Sequence, residues 1–257
     1  MASPQTRPRR RGRGPFRIVF EDRHLLVVDK PAGLLTVPIP GKHSRNLKDL
    51  LDRYLTNQKR RARTVHRIDR YTSGLVVFAK GYRAWEGLVE QFRAHTPERV
   101  YLAVVRGTVE PGEGTLSHRL ELTRDGFRQR VVEQGGTPAV TRYRVLERFR
   151  GATLLELRLE TGLKNQIRVQ LRAAGHPLVG DRHYSVEEAA ETRLGRQALH
   201  AWRLGFVHPV TGRELRLGAP LPADMERLLE RLREGGGGAG RPGRWEARPG
   251  PMGPGDR

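Results

Sequence analysis

The residues best suited to chemistry lie in one short run, His66-Arg67-Ile68-Asp69-Arg70-Tyr71-Thr72-Ser73-Gly74-Leu75. An apolar stretch, Leu75 to Ala79, follows at once and reads as a buried strand, so Asp69 is expected on the turn that feeds it. Thr72 and Ser73 can bond the local backbone there, and Gly74 permits a positive φ. A carboxylate on such a turn can act as a nucleophile or take a proton. It can equally serve as a cap, and local chemistry weighs the two evenly. His66 and Asp69 form a close His–carboxylate pair near a turn, and two residues do not make a metal site, so none is expected.

Other chemistries are excluded by what the chain lacks. It has no Cys, which removes disulfides, thiol nucleophiles and Cys-held zinc or iron–sulfur clusters. It carries no GxxxxGK[ST] loop, no GxGxxG after a strand, no GxSxG elbow and no HExxH. An enzyme made from this chain would work with side chains alone and no cofactor, which leaves hydrolysis, transfer or isomerisation. The 257 residues carry 48 Lys and Arg against 28 Asp and Glu, a net charge of +20. Five arginines give residues 1–14 a charge of +5, residues 235–257 carry +2, and +13 remains on residues 15–234. Both tails are rich in Gly, Pro and Arg and are expected to be disordered. An Arg-heavy composition is the plainer reading of the charge, yet a body at +13 attracts a polyanion such as RNA at physiological salt. No apolar run approaches a membrane span and no signal core opens the chain, so a cytoplasmic protein is expected.

The elements that must position these residues follow from periodicity. Strands are expected over 16–20, 25–29, 75–79, 101–105, 199–208 and 214–217, and an antiparallel set between 115 and 160. Asn46 is a suitable N-cap for a helix to about Arg61, with Leu47, Leu50, Leu51 and Leu55 on one stripe. Further helices are expected over 82–95, 163–174 and 223–234. The third also fits a period of two, but Gly175 followed by Pro177 marks a helix end. Runs of strands with irregularly placed helices indicate an α+β fold in one domain, residues 15–234.

The motifs occur together in a recognisable order. His66-Arg67-Ile68-Asp69 with Thr72-Ser73-Gly74-Leu75 resembles the HRLDxxTSGL motif of the RluA-type pseudouridine synthases. Asp29-Lys30-Pro31-Ala32-Gly33 resembles that family's upstream signature, Arg99-Val100-Tyr101-Leu102-Ala103 its tyrosine motif, and Thr161 to Leu171, running on to Asp181, its third motif. Leu199-His200-Ala201 and Phe206-Val207-His208-Pro209 match its closing strand. The family often has Arg, His and Lys where Leu163, Asn165 and Arg99 stand. The region begins almost directly, so no S4-type domain is expected in front of it.

The resemblance implies a mixed, largely antiparallel sheet with flanking helices and a central basic cleft. It implies isomerisation of uridine to pseudouridine in ribosomal or transfer RNA, after base flipping, with no cofactor or metal. Asp69 becomes the catalytic carboxylate, Arg168 its partner and Tyr101 the residue that stacks on the flipped base. An adjacent cation favours the ionised carboxylate, and a forked guanidinium also fixes its geometry. Arg67 would fill the vacated stack or hold a phosphate. Ile167 would pack on the uracil or in the core, and Lys30 would be a phosphate contact or a turn residue. The other class of function is a non-catalytic basic RNA-binding or ribosome-assembly protein, and a monomer is expected in either case. Deleting residues 1–14 should flatten the salt dependence of RNA binding, each lost phosphate contact lowering the log–log slope by about 0.7–0.9. Filter binding across a salt series checks this, and an unchanged slope means the tail does not touch RNA.

Overall fold

A computed structural model describes residues 15–41, 43–124, 126, 128–184 and 194–235. The tail expected over 1–14, and all but Gly235 of the one expected over 235–257, lie outside the described residues. Among the described residues, eleven strands form one sheet: β1 (Arg17–Glu21), β2 (Leu25–Lys30), β3 (Arg63–Thr64), β4 (Ser73–Ala79), β5 (Glu98–Arg106), β6 (Glu113–Leu122), β7 (Gln129–Val132), β8 (Thr137–Phe149), β9 (Ala152–Leu159), β10 (Leu199–Val207) and β11 (Glu214–Gly218). Their order is β1-β2-β4-β10-β5-β9-β8-β6-β7, with β3 on β4 and β11 on β10. Helices α1 (Leu47–Leu55), α2 (Tyr82–Arg93), α3 (Gln166–Ala173) and α4 (Ala223–Glu234) flank it. The expected α+β class is the one observed.

Both faces of the sheet are covered, which is why β4 is a continuous apolar run buried at every position. Its Val76 and Phe78 share a core with Leu47, Leu51 and Leu55 of α1 and with Ile167 and Leu171 of α3. The alternate residues, Leu75, Val77 and Ala79, pack with Ala84 and Leu88 of α2. Farther along, Val100, Leu102 and Val104 of β5 meet Met225, Leu228, Leu229 and Leu232 of α4. At about 25 cal/mol per Å2 of apolar surface, such layers supply most of the drive to fold.

Three helices are shorter than their sequence patterns suggest, α2 by the two residues after Arg93. α1 starts at the expected cap, where the Asn46 side chain accepts a hydrogen bond from the Asp49 N–H at 2.9 Å. It stops at Leu55 rather than Arg61, passing through a 3-10 turn to Lys59, which has φ +51°. The leucine stripe ends at Leu55, and the polar residues beyond it have no face to bury. α3 begins at Gln166 rather than Leu163, because the Gln166 side chain folds back to accept from the Leu163 N–H at 3.0 Å. Its end is as expected, with Gly175 at φ +83°.

One pairing decides where the chemistry sits. β4 and β10 run parallel, matching Ser73 to His200 and Gly74 to Ala201, while every other pairing of described strands is antiparallel. Ala201 in turn pairs with Tyr101 of β5. Gly74, Ala201 and Tyr101 therefore stand side by side across three strands, roughly 5 Å apart at each step. The turn that precedes β4 is thereby set beside Tyr101. Gly74 has φ +109°, and a Cβ there would lie 2.2 Å from the Ala201 carbonyl oxygen. The Gly74→Ala variant should lose about 3 kcal/mol or more of stability, since both the backbone conformation and the seam forbid the methyl group. Urea unfolding checks this; a loss below about 1 kcal/mol would show that the seam yields.

Candidate active site

The loop carrying Asp69 is tied down at its carbonyl groups. Thr36 Oγ1 donates to the Ile68 carbonyl at 2.7 Å, and the Gly33 N–H donates to that of Arg70 at 2.8 Å. Lys30 Nζ donates to the carbonyls of Pro31 (2.9 Å), Leu34 (2.8 Å) and Arg70 (3.1 Å). An ammonium has three donors, and these three acceptors use them. From the far side Arg196 reaches the Tyr71 carbonyl at 3.3 Å and Gln197 reaches Thr72 Oγ1 at 3.2 Å. The Thr72 N–H closes the turn on the Asp69 carbonyl at 3.1 Å. Asp69 thus stands on the expected turn, held by residues 30–36 on one side and 196–197 on the other.

Its carboxylate is joined to Arg168 of α3, with Nη1 3.2 Å from Oδ2. The remainder of that guanidinium is held by Asp181, Nε to Oδ2 at 2.7 Å and Nη2 to Oδ1 at 2.8 Å. Asp181 is 1% exposed and also accepts from the backbone N–H groups of His183 and Tyr184. Burial works against the charge on Arg168, but the hydrogen bonds and charge of Asp181, with those of Asp69, outweigh it and raise its pKa above the usual arginine value. The cation is permanent and its orientation fixed. Among the described residues, Asp69 Oδ1 accepts no hydrogen bond, and the side chain keeps 24% of its surface open to a cavity of about 560 Å3.

Tyr101, Arg67, Ile167 and Arg168 line that cavity with Asp69, joined by Phe92, Arg93 and Arg99. Tyr101 is 8% exposed. Burial pushes its pKa up to about 12, with Arg99 opposing and the charge of Asp69 reinforcing, so at neutral pH it is a phenol and not a phenolate. Arg67 is exposed at the cavity wall, and Ile167 serves both the wall and the core. His66 does not pair with Asp69: its Nε2 accepts from the Val77 N–H at 3.1 Å while its ring stacks on Phe92 at 4.5 Å. Burial and the charge of Arg99 depress its pKa to about 3, so it is neutral. Lys30 is fully buried beneath the turn, outside the cavity wall. Its geometry matches the turn-residue alternative, and the phosphate contact has no exposed ammonium to make it.

Residues 24–173 match the model of the RNA pseudouridylate synthase family. The chain belongs to that family. It is 44% identical over 232 residues to a ribosomal large subunit pseudouridine synthase D of Nitrosomonas europaea, spanning 85% of this chain and 66% of that one. It is 41% identical to an uncharacterized RNA pseudouridine synthase, YlyB, of Bacillus subtilis, spanning 85% and 73%. The chain thus spans about two thirds of the length of the curated relatives it matches. Among solved structures, the human RNA pseudouridylate synthase domain containing 4 superposes with a TM-score of 0.71 at 26% identity, over 84% of this chain and 92% of that one.

For a pseudouridylate synthase, the sequence motifs left one part of the site without a role. Asp181 falls inside the third motif, but only the fold shows that it grips Arg168 from behind. Its signal in the sequence is the Gly180-Asp181 pair that follows Pro177, in a stretch otherwise suited to a plain turn. Asp181→Asn removes a carboxylate from a buried pair and should lower stability by about 3–5 kcal/mol, measured by urea unfolding. Arg168→Lys keeps the charge but loses the fork, so turnover should fall at least tenfold while RNA affinity holds. Wild-type turnover in that variant would make Arg168 a bystander.

Proposed function

We propose that the chain isomerises uridine to pseudouridine in RNA, with large-subunit ribosomal RNA as the first place to look. The names of the Nitrosomonas europaea relative and of others at similar identity support that choice of RNA. The observation that carries the reading is Asp69 itself: one oxygen held by a permanent cation, the other open to a cavity of the size class that takes a nucleoside. A protein that only bound RNA would gain nothing from an anion in a basic cleft, since it repels phosphate.

The reaction needs three things of this chain. The target nucleotide must leave its stack, which costs a few kcal/mol, and Arg67 at the cavity wall is placed to occupy the gap or hold a phosphate. The C1′–N1 bond must break, and Asp69 balances the electron-poor sugar carbon by attacking it or by standing as its counter-ion. Finally the ring must turn and rejoin through C5, and the Tyr101 ring offers it a surface on which to do so. As a phenol, Tyr101 can donate or relay a proton but does not remove one as a phenolate. No atoms are gained or lost, so the cycle runs without a cofactor.

Asp69→Asn should lower the single-turnover rate of pseudouridine formation by about 10³-fold or more, leaving RNA affinity within a few-fold. Pseudouridine mapping in ribosomal RNA transcripts treated with each protein, with equilibrium binding alongside, checks both. A fully active Asp69→Asn protein would remove Asp69 from the site. Inactivity of the wild-type chain on every ribosomal and transfer RNA would favour the non-catalytic RNA-binding reading.

A further inference from the structure

Arg99 stands two residues before Tyr101 on β5, so both side chains leave the strand on the same face, and both line the cavity. It is 8% exposed. Of the other buried basic side chains, Arg168 is compensated by Asp69 and Asp181, Arg196 by Asp224 and Lys80 by Glu21, while Lys30 has all three donors filled by carbonyls and burial lowers its pKa to about 7. Arg99 has no carboxylate partner among the described residues. Of its five N–H donors one makes a long hydrogen bond, Nη2 to the Glu160 carbonyl at 3.3 Å. Its Nε is buried with no partner. The guanidinium carbon lies 5.9 Å from the centre of the Phe92 ring, and Nη1 sits where a side chain on Gly162 would be, 2.3 Å from a Cβ there. Burial lowers its pKa below the usual arginine value, with the neighbouring Tyr101 opposing.

A desolvated cation without an anion is costly, and it is retained here at the wall of the site. We propose that Arg99 is a catalytic cation that binds the carbonyl oxygens of the detached uracil ring and stabilises its negative charge. The inference rests on the reading of the chain as an active pseudouridine synthase. When C1′–N1 breaks, its electron pair leaves with the ring, giving an anion spread over N1 and the two carbonyl oxygens. Asp69 balances the electron-poor C1′. On rejoining, C5 supplies the pair that bonds to C1′, C5 loses its proton and N1 gains one, so the product is an isomer of the substrate. The ring anion exists only between cleavage and rejoining. A cation facing it therefore stabilises the states around the barrier more than the bound uridine. The fixed division of labour is one carboxylate toward the sugar and one guanidinium toward the base.

The test uses the full chain and a ribosomal RNA transcript in which the wild-type protein forms pseudouridine. Arg99→Met should lower the single-turnover rate about 10²- to 10³-fold, with Kd within threefold and an unchanged slope of log Kd against log salt. Arg99→Lys, which keeps a charge beside Gly162, should recover part of the rate. In the same transcript made with 5-fluorouridine, whose C5 has no proton to lose, the rate is read as consumption of 5-fluorouridine, and the gap between wild type and Arg99→Lys should narrow because fluorine draws charge from the ring and makes it a better leaving group. That comparison holds if Arg99→Met fails to fold. A rate within threefold of wild type in Arg99→Met would overturn the proposal. So would a weaker Kd with the slope lowered by about 0.7–0.9, the mark of a phosphate contact. An equal loss on the fluorinated and ordinary transcripts would also overturn it. If the wild-type chain forms no pseudouridine in any transcript, the functional reading fails and takes this one with it; if only the Arg99 arms fail, that reading stands.

Discussion

A single guanidinium held between two carboxylates organises this site. Arg168 spends its Nε and Nη2 on the buried Asp181 and presents Nη1 to Asp69. The arrangement solves an electrostatic difficulty. A carboxylate in a half-closed cavity loses hydration, and a mobile cation offered in place of water would carry a large ordering cost. Asp181 meets that cost within the fold, so Arg168 reaches Asp69 already oriented. The second carboxylate also keeps the guanidinium from collapsing fully onto the first, and Oδ1 of Asp69 is left open.

The sheet supplies the other half of the constraint. Asp69 and Arg168 are 99 residues apart, and neither belongs to the strand that bears Tyr101. The parallel contact of Gly74 with Ala201 brings the turn beside β5, and a side chain at position 74 would push the two strands apart. Beneath the turn, Lys30 closes three carbonyls around its ammonium. This buried basic residue is thus explained by the shape of a loop and not by a charge on the ligand.

Arg99 and Arg168 illustrate two uses of the same side chain. One is saturated by carboxylates and serves to orient. The other has a single long hydrogen bond to a carbonyl and a buried Nε without a partner. Both are buried to a similar degree, 8% and 6% exposed, so burial does not separate their roles. Partner chemistry does: a buried cation that the protein has not neutralised is one that can respond to charge arriving from elsewhere.

Much of this was legible from residue order alone. Apolar alternation located most strands, the Asn46 cap and the leucine stripe placed α1, and Gly175 ended α3 where a left-handed residue was required. The turn bearing Asp69 followed from Thr72, Ser73 and Gly74, because turn chemistry acts over a few residues. The end of α1 was misplaced, since a helix is sustained by the face it buries and that face depends on what lies opposite. The buried ammonium of Lys30, the neutral stacked ring of His66 and the grip of Asp181 on Arg168 were beyond local reading. Each depends on contacts across 11 to 40 residues, in places that only the packed fold fixes. Hydrophobic periodicity and turn propensity are written in neighbouring residues; hydrogen-bond partners and desolvation belong to the packed chain.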